Sequence, residues 1–340
     1  MNPGTHGGPD AGPAIQHDFS TNASPCGAPP ALLDAVLAAR RDRYPDPQYL
    51  VLREQLAAAE GLATERLLPT AGSSEAIRRL TLAAQLAGVR EVWVPQPGYG
   101  DYAAAALALG LACRSYRRAS DVPPDVAALI WVCEPANPDG SSLSADDWAW
   151  LARLQARGAQ LAIDLAYEPL RLDGSSRLPE ALAAQAWRLV SPNKALGLTG
   201  VRAGYALAPE RGRWLQAMQA LAPSWVLSSE GVALLTHWHS AATHEHLSEV
   251  RDQLRAWRSR QQTVLASLGW LQRDSCTPFW LACPRPGLDA QALHELLLSP
   301  LRQRGIKLRD AQSFGLPGWV RVSTQAPIAL AALMEAMESL

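Results

Sequence analysis

The spacing of apolar residues divides the chain into two patterns. Short unbroken apolar runs at 90–95, 127–133, 159–164, 186–190 and 203–207 alternate with helical stretches near 99–110, 144–157 and 177–185. Apolar runs of this length without polar alternation suit strands covered on both faces, as in a mainly parallel sheet flanked by helices. Upstream, helices are expected over 29–41 and 48–60, separated by the proline turn Tyr44-Pro45-Asp46-Pro47, and Thr70-Ala71-Gly72-Ser73-Ser74-Glu75 opens an amphipathic run to about residue 87. Beyond residue 208 the order changes. Helices are predicted at 209–221, 226–239 and 241–267, then strands near 278–283, 306–310 and 319–323, with helices at 289–303 and at the end. The pattern is α/β: an N-terminal arm (1–43), a large α/β domain (44–208) and a smaller α+β lobe (209–340) that the arm helps to complete. Residues 1–17, rich in Gly and Pro, should lack regular structure unless something pins them.

Composition narrows the class. Of 340 residues, 48% are hydrophobic and 19% charged, enough for a sizeable core and incompatible with global disorder. Lys and Arg total 31 against 32 Asp and Glu, so the chain offers no electrostatic footprint for nucleic acid or an anionic membrane. The longest apolar run, Ala103 to Cys113, is too short to span a bilayer, and the N-terminus lacks the pattern of an export signal. Five cysteines with no Cys-x-x-Cys pair (Cys26, Cys113, Cys133, Cys276, Cys283) read as reduced thiols of a cytoplasmic protein, without a disulfide frame or metal site.

Lysine occurs only twice, at Lys194 and Lys307. Where arginine supplies nearly every cation, a retained lysine points to what arginine cannot do: lose a proton and attack a carbonyl. Lys307 reads as a surface residue. Lys194 lies in Ser191-Pro-Asn-Lys194-Ala-Leu-Gly-Leu-Thr199-Gly200-Val-Arg202-Ala-Gly204, a loop between two predicted strands. A lysine to condense with an aldehyde, with Ser191 and Arg202 to hold a phosphate, suits a phosphorylated aldehyde cofactor. Asp164 ends an apolar run, where a carboxylate is costly unless a cation such as a pyridinium faces it; a helix N-cap is the plainer alternative. Tyr167 follows within one turn. Gly72-Ser73-Ser74 opens a helix and offers free N–H groups to a phosphate, or an ordinary cap. Pro97-Gly-Tyr99-Gly-Asp-Tyr102 puts an aromatic on a turn where it could stack on a flat ring, or two tyrosines in the core. Asn137, in Glu134-Pro-Ala-Asn137-Pro138-Asp-Gly140, presents an amide after another strand, or a simple turn.

Taken in order, these elements resemble the aspartate-aminotransferase-like superfamily, fold type I of the pyridoxal-phosphate enzymes. Ser191, Lys194, Gly200, Arg202 and Gly204 match its S-x-x-K and G-x-R-x-G pattern, Asn137 to Gly140 its Asn-Pro-x-Gly turn, and Asp164 with Tyr167 its Asp-x-x-Tyr step. Leu165, Ala136 and Asp139 depart from the pattern without removing a required group. The resemblance implies pyridoxal 5'-phosphate as cofactor, with Lys194, Asp164 and Tyr167 catalytic. It implies that Tyr99 stacks on the ring, that Tyr44 reaches the phosphate from the other subunit of a homodimer, and that Arg321 with Asn22 receives the substrate α-carboxylate.

His6-Gly7-Gly8, followed by Asp18-Phe19-Ser20-Thr21-Asn22-Ala23-Ser24-Pro25, is similar to the start of the threonine-phosphate decarboxylases of cobalamin biosynthesis, as is Pro223 to Ser228. Consecutive glycine N–H groups beside a histidine can nest a substrate phosphate. The histidinol-phosphate aminotransferases share Tyr44-Pro45-Asp46-Pro47 but usually lack that opening. The sequence therefore favours a lyase decarboxylating O-phospho-L-threonine. A transferase of the histidinol-phosphate type is the alternative, and a non-catalytic cofactor-binding protein a third reading.

Overall fold

A computed structural model describes residues 6–340. Its centre is a seven-stranded sheet built from β2 (Leu67–Thr70), β3 (Glu91–Pro95), β4 (Ala112–Tyr116), β5 (Leu129–Cys133), β6 (Gln160–Asp164), β7 (Trp187–Val190) and β8 (Gly204–Leu207), after a short β1 (His17–Asp18) in the arm. The order across the sheet is β2-β8-β7-β6-β5-β3-β4. Only β8 runs against its neighbours, so the carboxyl ends of β2, β3, β5, β6 and β7 gather along one edge. In open α/β sheets that edge is where ligands bind.

Around this sheet pack α1 (Pro30–Leu37), α2 (Leu50–Ala59), α3 (Ser73–Leu86), α4 (Gly100–Ala108), α5 (Ala145–Ala156), α6 (Glu180–Ala183), α7 (Leu215–Ala220), α8 (Ser229–Trp238) and α9 (Ala241–Ser267). Every residue of β5 is buried, as its unbroken apolar run requires. Helices beyond residue 208 still serve the sheet: Met218 of α7 packs with Ile77 and Leu80 of α3, while Leu234 and Leu235 of α8 share a core with Leu32, Leu56 and Tyr205.

The C-terminal lobe has its own core and a four-stranded sheet ordered β12-β13-β10-β9, from β9 (Leu271–Gln272), β10 (Phe279–Cys283), β12 (Arg309–Asp310) and β13 (Val320–Ser323). The strand expected over 306–310 is two pieces. β11 (Ile306–Lys307) pairs in parallel with β1, and β12 pairs with β13, so the chain changes sheets at Leu308. The arm contributes Phe19, fully buried among Trp280, Leu308 and Val322. The helix expected at 289–303 is α10 (Ala290–Leu293), a π-helical turn (His294–Leu298) and α11 (Ser299–Gln303). Pro300, which has no N–H to give the preceding turn, accounts for the interruption. α12 (Pro327–Glu338) closes the lobe.

Candidate active site

The carboxyl-terminal edge of the large sheet holds a cavity of about 160 Å³ whose lining includes Lys194, Asp164, Tyr167, Asn137, Tyr99 and Arg202. They gather where strands end: Asp164 is the last residue of β6, and loops supply Tyr99 after β3, Asn137 after β5, Tyr167 after β6, and Ser191, Lys194 and Arg202 after β7. Ser73 and Ser74, from the first turn of α3, line it too. Sequence positions more than a hundred residues apart are thus brought within hydrogen-bond reach: Ser73 Oγ and Ser191 Oγ are 2.8 Å apart.

Asp164 is 3% exposed. Burial pushes its carboxyl up from the usual range, and the Lys194 charge pulls it back, helped by donors from Tyr102 Oη (2.9 Å), the Ala166 N–H (3.1 Å) and Ser73 Oγ (3.4 Å). Tyr102 had no role in the sequence beyond a partner of Tyr99. The structure puts its ring at 5.0 Å on Trp131, nearly parallel, and its hydroxyl on Asp164. Burial and the neighbouring Asp164 charge drive its phenol well above the ordinary value, so it stays a donor. The Lys194 Nζ lies 5.1 Å from the centre of the Tyr167 ring.

At the mouth of α3, Gly72 has φ +82°, and a Cβ there would stand 2.8 Å from a guanidinium nitrogen of Arg202. This is a cradle that only glycine leaves open. Free N–H groups at the start of a fourteen-residue helix, two hydroxyls and a guanidinium form a donor set with the chemistry of a phosphate site.

On the other side of the cavity, Arg321 of β13 donates to Asn137 Oδ1 at 2.6 Å and to the Ser20 carbonyl at 2.6 Å. Burial, then the nearby Arg309 charge, lower its guanidinium to about 10, against favourable charges such as Tyr167. Arg309 stands opposite Arg321 in the β12–β13 ladder, and both guanidinium groups lie over the Phe314 ring, at 4.9 and 5.7 Å. Arg309 carried no signal among 29 arginines. Arg321 Nε, Asn22 Oδ1 and Asn193 Oδ1 are buried without a hydrogen-bond partner among the described residues. With the Gly72 cradle, these groups fit a flat phosphorylated cofactor and an anionic substrate.

The N-terminal segment reaches the same side. Asn22 Nδ2 points at Tyr167 Oη (3.4 Å), the Gly8 N–H donates to Ser20 Oγ (2.8 Å), and a Cβ on Gly7 would come within 2.1 Å of the Ser20 carbonyl oxygen. The His6 ring sits 6.3 Å from Tyr99. Tyr44 does not join them: it is 73% exposed and stacks on Trp225 at 4.2 Å. Lys307, read from sequence as a surface residue, is instead largely covered and bound to Gly8 and Asp10. The Gly/Pro-rich start is pinned.

A family model for aminotransferase class I and II matches residues 15–340. A histidinol-phosphate aminotransferase of Ruegeria sp. (strain TM1040) is 28% identical over 318 residues, covering 90% of this chain and 85% of that protein. Among solved structures, histidinol-phosphate aminotransferase from Sinorhizobium meliloti in complex with pyridoxal-5'-phosphate superposes with a TM-score of 0.78 at 22% identity, covering 96% and 92% of the two chains. L-threonine-O-3-phosphate decarboxylase from Porphyromonas gingivalis superposes with a TM-score of 0.77 at 20% identity, covering 94% and 98%. At such identities the superpositions speak for the fold.

Proposed function

Because the chain belongs to the class I and II aminotransferases, and is a pyridoxal-phosphate-dependent enzyme of fold type I, we propose that it transaminates a phosphorylated amino compound, as an aminotransferase of the histidinol-phosphate type. The observation that carries an anionic substrate is Arg321, a buried cation bonded to Asn137 of the cavity lining, whose Nε has no hydrogen-bond partner among the described residues. A buried guanidinium with a donor left over favours an anion against it. Names of relatives over 90% of the chain favour transamination over the decarboxylation that the sequence alone put first.

When bound, pyridoxal phosphate supplies an electron sink for the pair released at the substrate Cα. This chain's residues do the rest. Lys194 would anchor the cofactor at its carbonyl carbon and, once the substrate amine has displaced it, would be the base for the proton at Cα. Asp164 keeps a proton on the ring nitrogen, and Asn137 and Tyr167 hold the ring oxygen. Ser73, Ser74, Ser191 and Arg202, with the N–H groups that follow Gly72, bind the phosphate. Tyr99 covers one ring face. Arg321 and Asn22 would orient the α-carboxylate and so select which Cα bond is broken. We place the enzyme in the cytoplasm as a homodimer, to which Tyr44 contributes across the interface. Five free cysteines support a reducing compartment, and no described helix is long and apolar enough to cross a membrane.

Decarboxylation of O-phospho-L-threonine, with release of aminopropanol phosphate, is the second reading. The docked His6-Gly7-Gly8 segment supports it: Gly8 rests on Ser20, the His6 ring lies 6.3 Å from Tyr99 of the cavity lining, and a histidine beside two glycine N–H groups suits a substrate phosphate. The deciding experiment offers the cofactor-loaded protein histidinol phosphate with 2-oxoglutarate and, separately, O-phospho-L-threonine. Glutamate formation in the first mixture is expected. Carbon dioxide and aminopropanol phosphate in the second, without glutamate in the first, would replace transamination with the lyase. Turnover in neither would rule out both substrates and, with them, both readings.

A further inference from the structure

We infer that Asp10, Lys307 and Arg302 form a clamp that positions the N-terminal segment over the substrate side of the cavity and so sets substrate affinity without touching substrate. This rests on the placement, given above for the second reading, of His6, Gly7 and Gly8 toward the substrate.

Residues 6–14 bury no side chain: Gly8 alone is buried, and the others are exposed or half-exposed. Apolar burial therefore cannot offset the entropy of ordering them, and their position depends on polar contacts. The pairing of His17–Asp18 with Ile306–Lys307 begins only downstream. Upstream of it, the contacts converge on Asp10. One carboxylate oxygen accepts from Arg302 of α11 at 2.6 Å and from the Gly12 N–H at 2.9 Å, while the other accepts from Lys307 Nζ. The same ammonium donates to the Gly8 carbonyl. Arg302 and Lys307 are only 14% and 12% exposed, against 46% for Asp10, so the cations come from the folded lobe and the acid from the segment. Lys307 and Arg302 hold the Asp10 carboxyl far below the usual carboxylate range.

From the clamp the contacts run inward. The Gly8 N–H rests on Ser20 Oγ, which donates in turn to Asp18, and the Ser20 carbonyl accepts from Arg321. A compact ammonium can serve Gly8 and Asp10 at once, which gives the second lysine of this lysine-poor chain a task. The three clamp residues stand behind the turn, and His6 stands in front, against Tyr99. They are positioning residues.

The test compares the cofactor-loaded wild-type protein with Lys307→Met, Asp10→Asn and Lys307→Arg. Amide exchange over residues 6–16 is followed by mass spectrometry. Affinity for histidinol phosphate and for O-phospho-L-threonine is followed through the cofactor absorbance, whether or not turnover follows. Lys307→Met and Asp10→Asn are expected to speed exchange of the segment by about tenfold or more. They should also weaken binding of the accepted compound, or raise its KM, by about tenfold, the scale of a lost charge-assisted hydrogen bond. The kcat, the absorbance without substrate and exchange elsewhere should stay near wild type, and Lys307→Arg, which keeps the charge but not the compact ammonium, should recover only part of both effects. Unchanged exchange in the two variants overturns the clamp. Faster exchange with unchanged affinity overturns its link to substrate. Wild-type protein that binds neither compound would instead sink the substrate reading, and the clamp then stands or falls on exchange alone.

Discussion

A carboxylate sealed at the end of a buried strand survives in charged form only if cations and donors face it, and around Asp164 these are Lys194, Tyr102 and the Ala166 N–H. Tyr102→Phe removes one donor and keeps the ring on Trp131, an aromatic pair of about 1 kcal/mol. Losing a hydrogen bond to the charged form makes the carboxylate more basic. With Asp164 facing the cofactor ring nitrogen as proposed, the more basic carboxylate would draw the proton from that nitrogen, the ring would withdraw electrons less, and the Lys194 nitrogen bound to it would keep its proton to higher pH. An upward move of about one pH unit in the titration of the cofactor absorbance is expected, with kcat lower by about tenfold. An unmoved titration would reduce Tyr102 to packing. At this scale the sequence was legible where residue type and spacing coincide with chemistry, as at Lys194, Asp164 and Asn137. It was silent at Tyr102, whose ring is core and whose hydroxyl is not. Lys307 was hidden for a different reason: its partners, Gly8 and Asp10, lie nearly three hundred residues away.

At the scale of elements, the start of α3 is where backbone and chemistry meet. Gly72→Ala forces a left-handed backbone on a residue with a Cβ, at about 1–3 kcal/mol. It also pushes that Cβ against the Arg202 guanidinium. The apo protein should melt a few degrees lower, and the cofactor dissociation constant should rise by about tenfold or more, because the N–H groups and Arg202 lose register together. A lower melting temperature with unchanged cofactor affinity would mean that Arg202 does not hold the phosphate. The elements read correctly from sequence are those whose environment is uniform. β5 is buried along its whole length, and α9 was expected at 241–267, the bounds it has. β4 was missed because it is the sheet's edge, and Ala112–Tyr116 carries exposed polar residues on it. β2 was missed because Leu67–Thr70 is four residues long and includes Pro69. The break between β11 and β12 left no mark, since alternation continues through Leu308 while the hydrogen-bond partner changes.

For the whole molecule, the unexplained surface is the one around Tyr44. Its ring stacks on Trp225, itself 41% exposed and held at φ +50°, a left-handed backbone that costs a bulky residue about 1–2 kcal/mol. Leu37, Leu50 and Val51, on the flanking ends of α1 and α2, are exposed as well. An apolar surface of this kind, kept at a conformational cost and rimmed by Arg40, Arg41 and Arg43, suits an interface with a second copy. If Tyr44 completes the partner's phosphate site, the two defects Lys194→Ala and Tyr44→Phe fall on the same composite site in a mixed dimer. Each variant alone should be weak: Lys194→Ala should lack the lysine-bound cofactor absorbance and turnover, and Tyr44→Phe should bind cofactor about tenfold less tightly. Unfolded and refolded together in equal amounts, and assayed at a cofactor concentration that leaves Tyr44→Phe largely unloaded, half the dimers are mixed. Each mixed dimer has one doubly defective site and one intact site, so tight-binding activity should return to about a quarter of wild type. Activity no higher than the average of the separate variants would place Tyr44 in its own subunit's chemistry, or outside the site altogether.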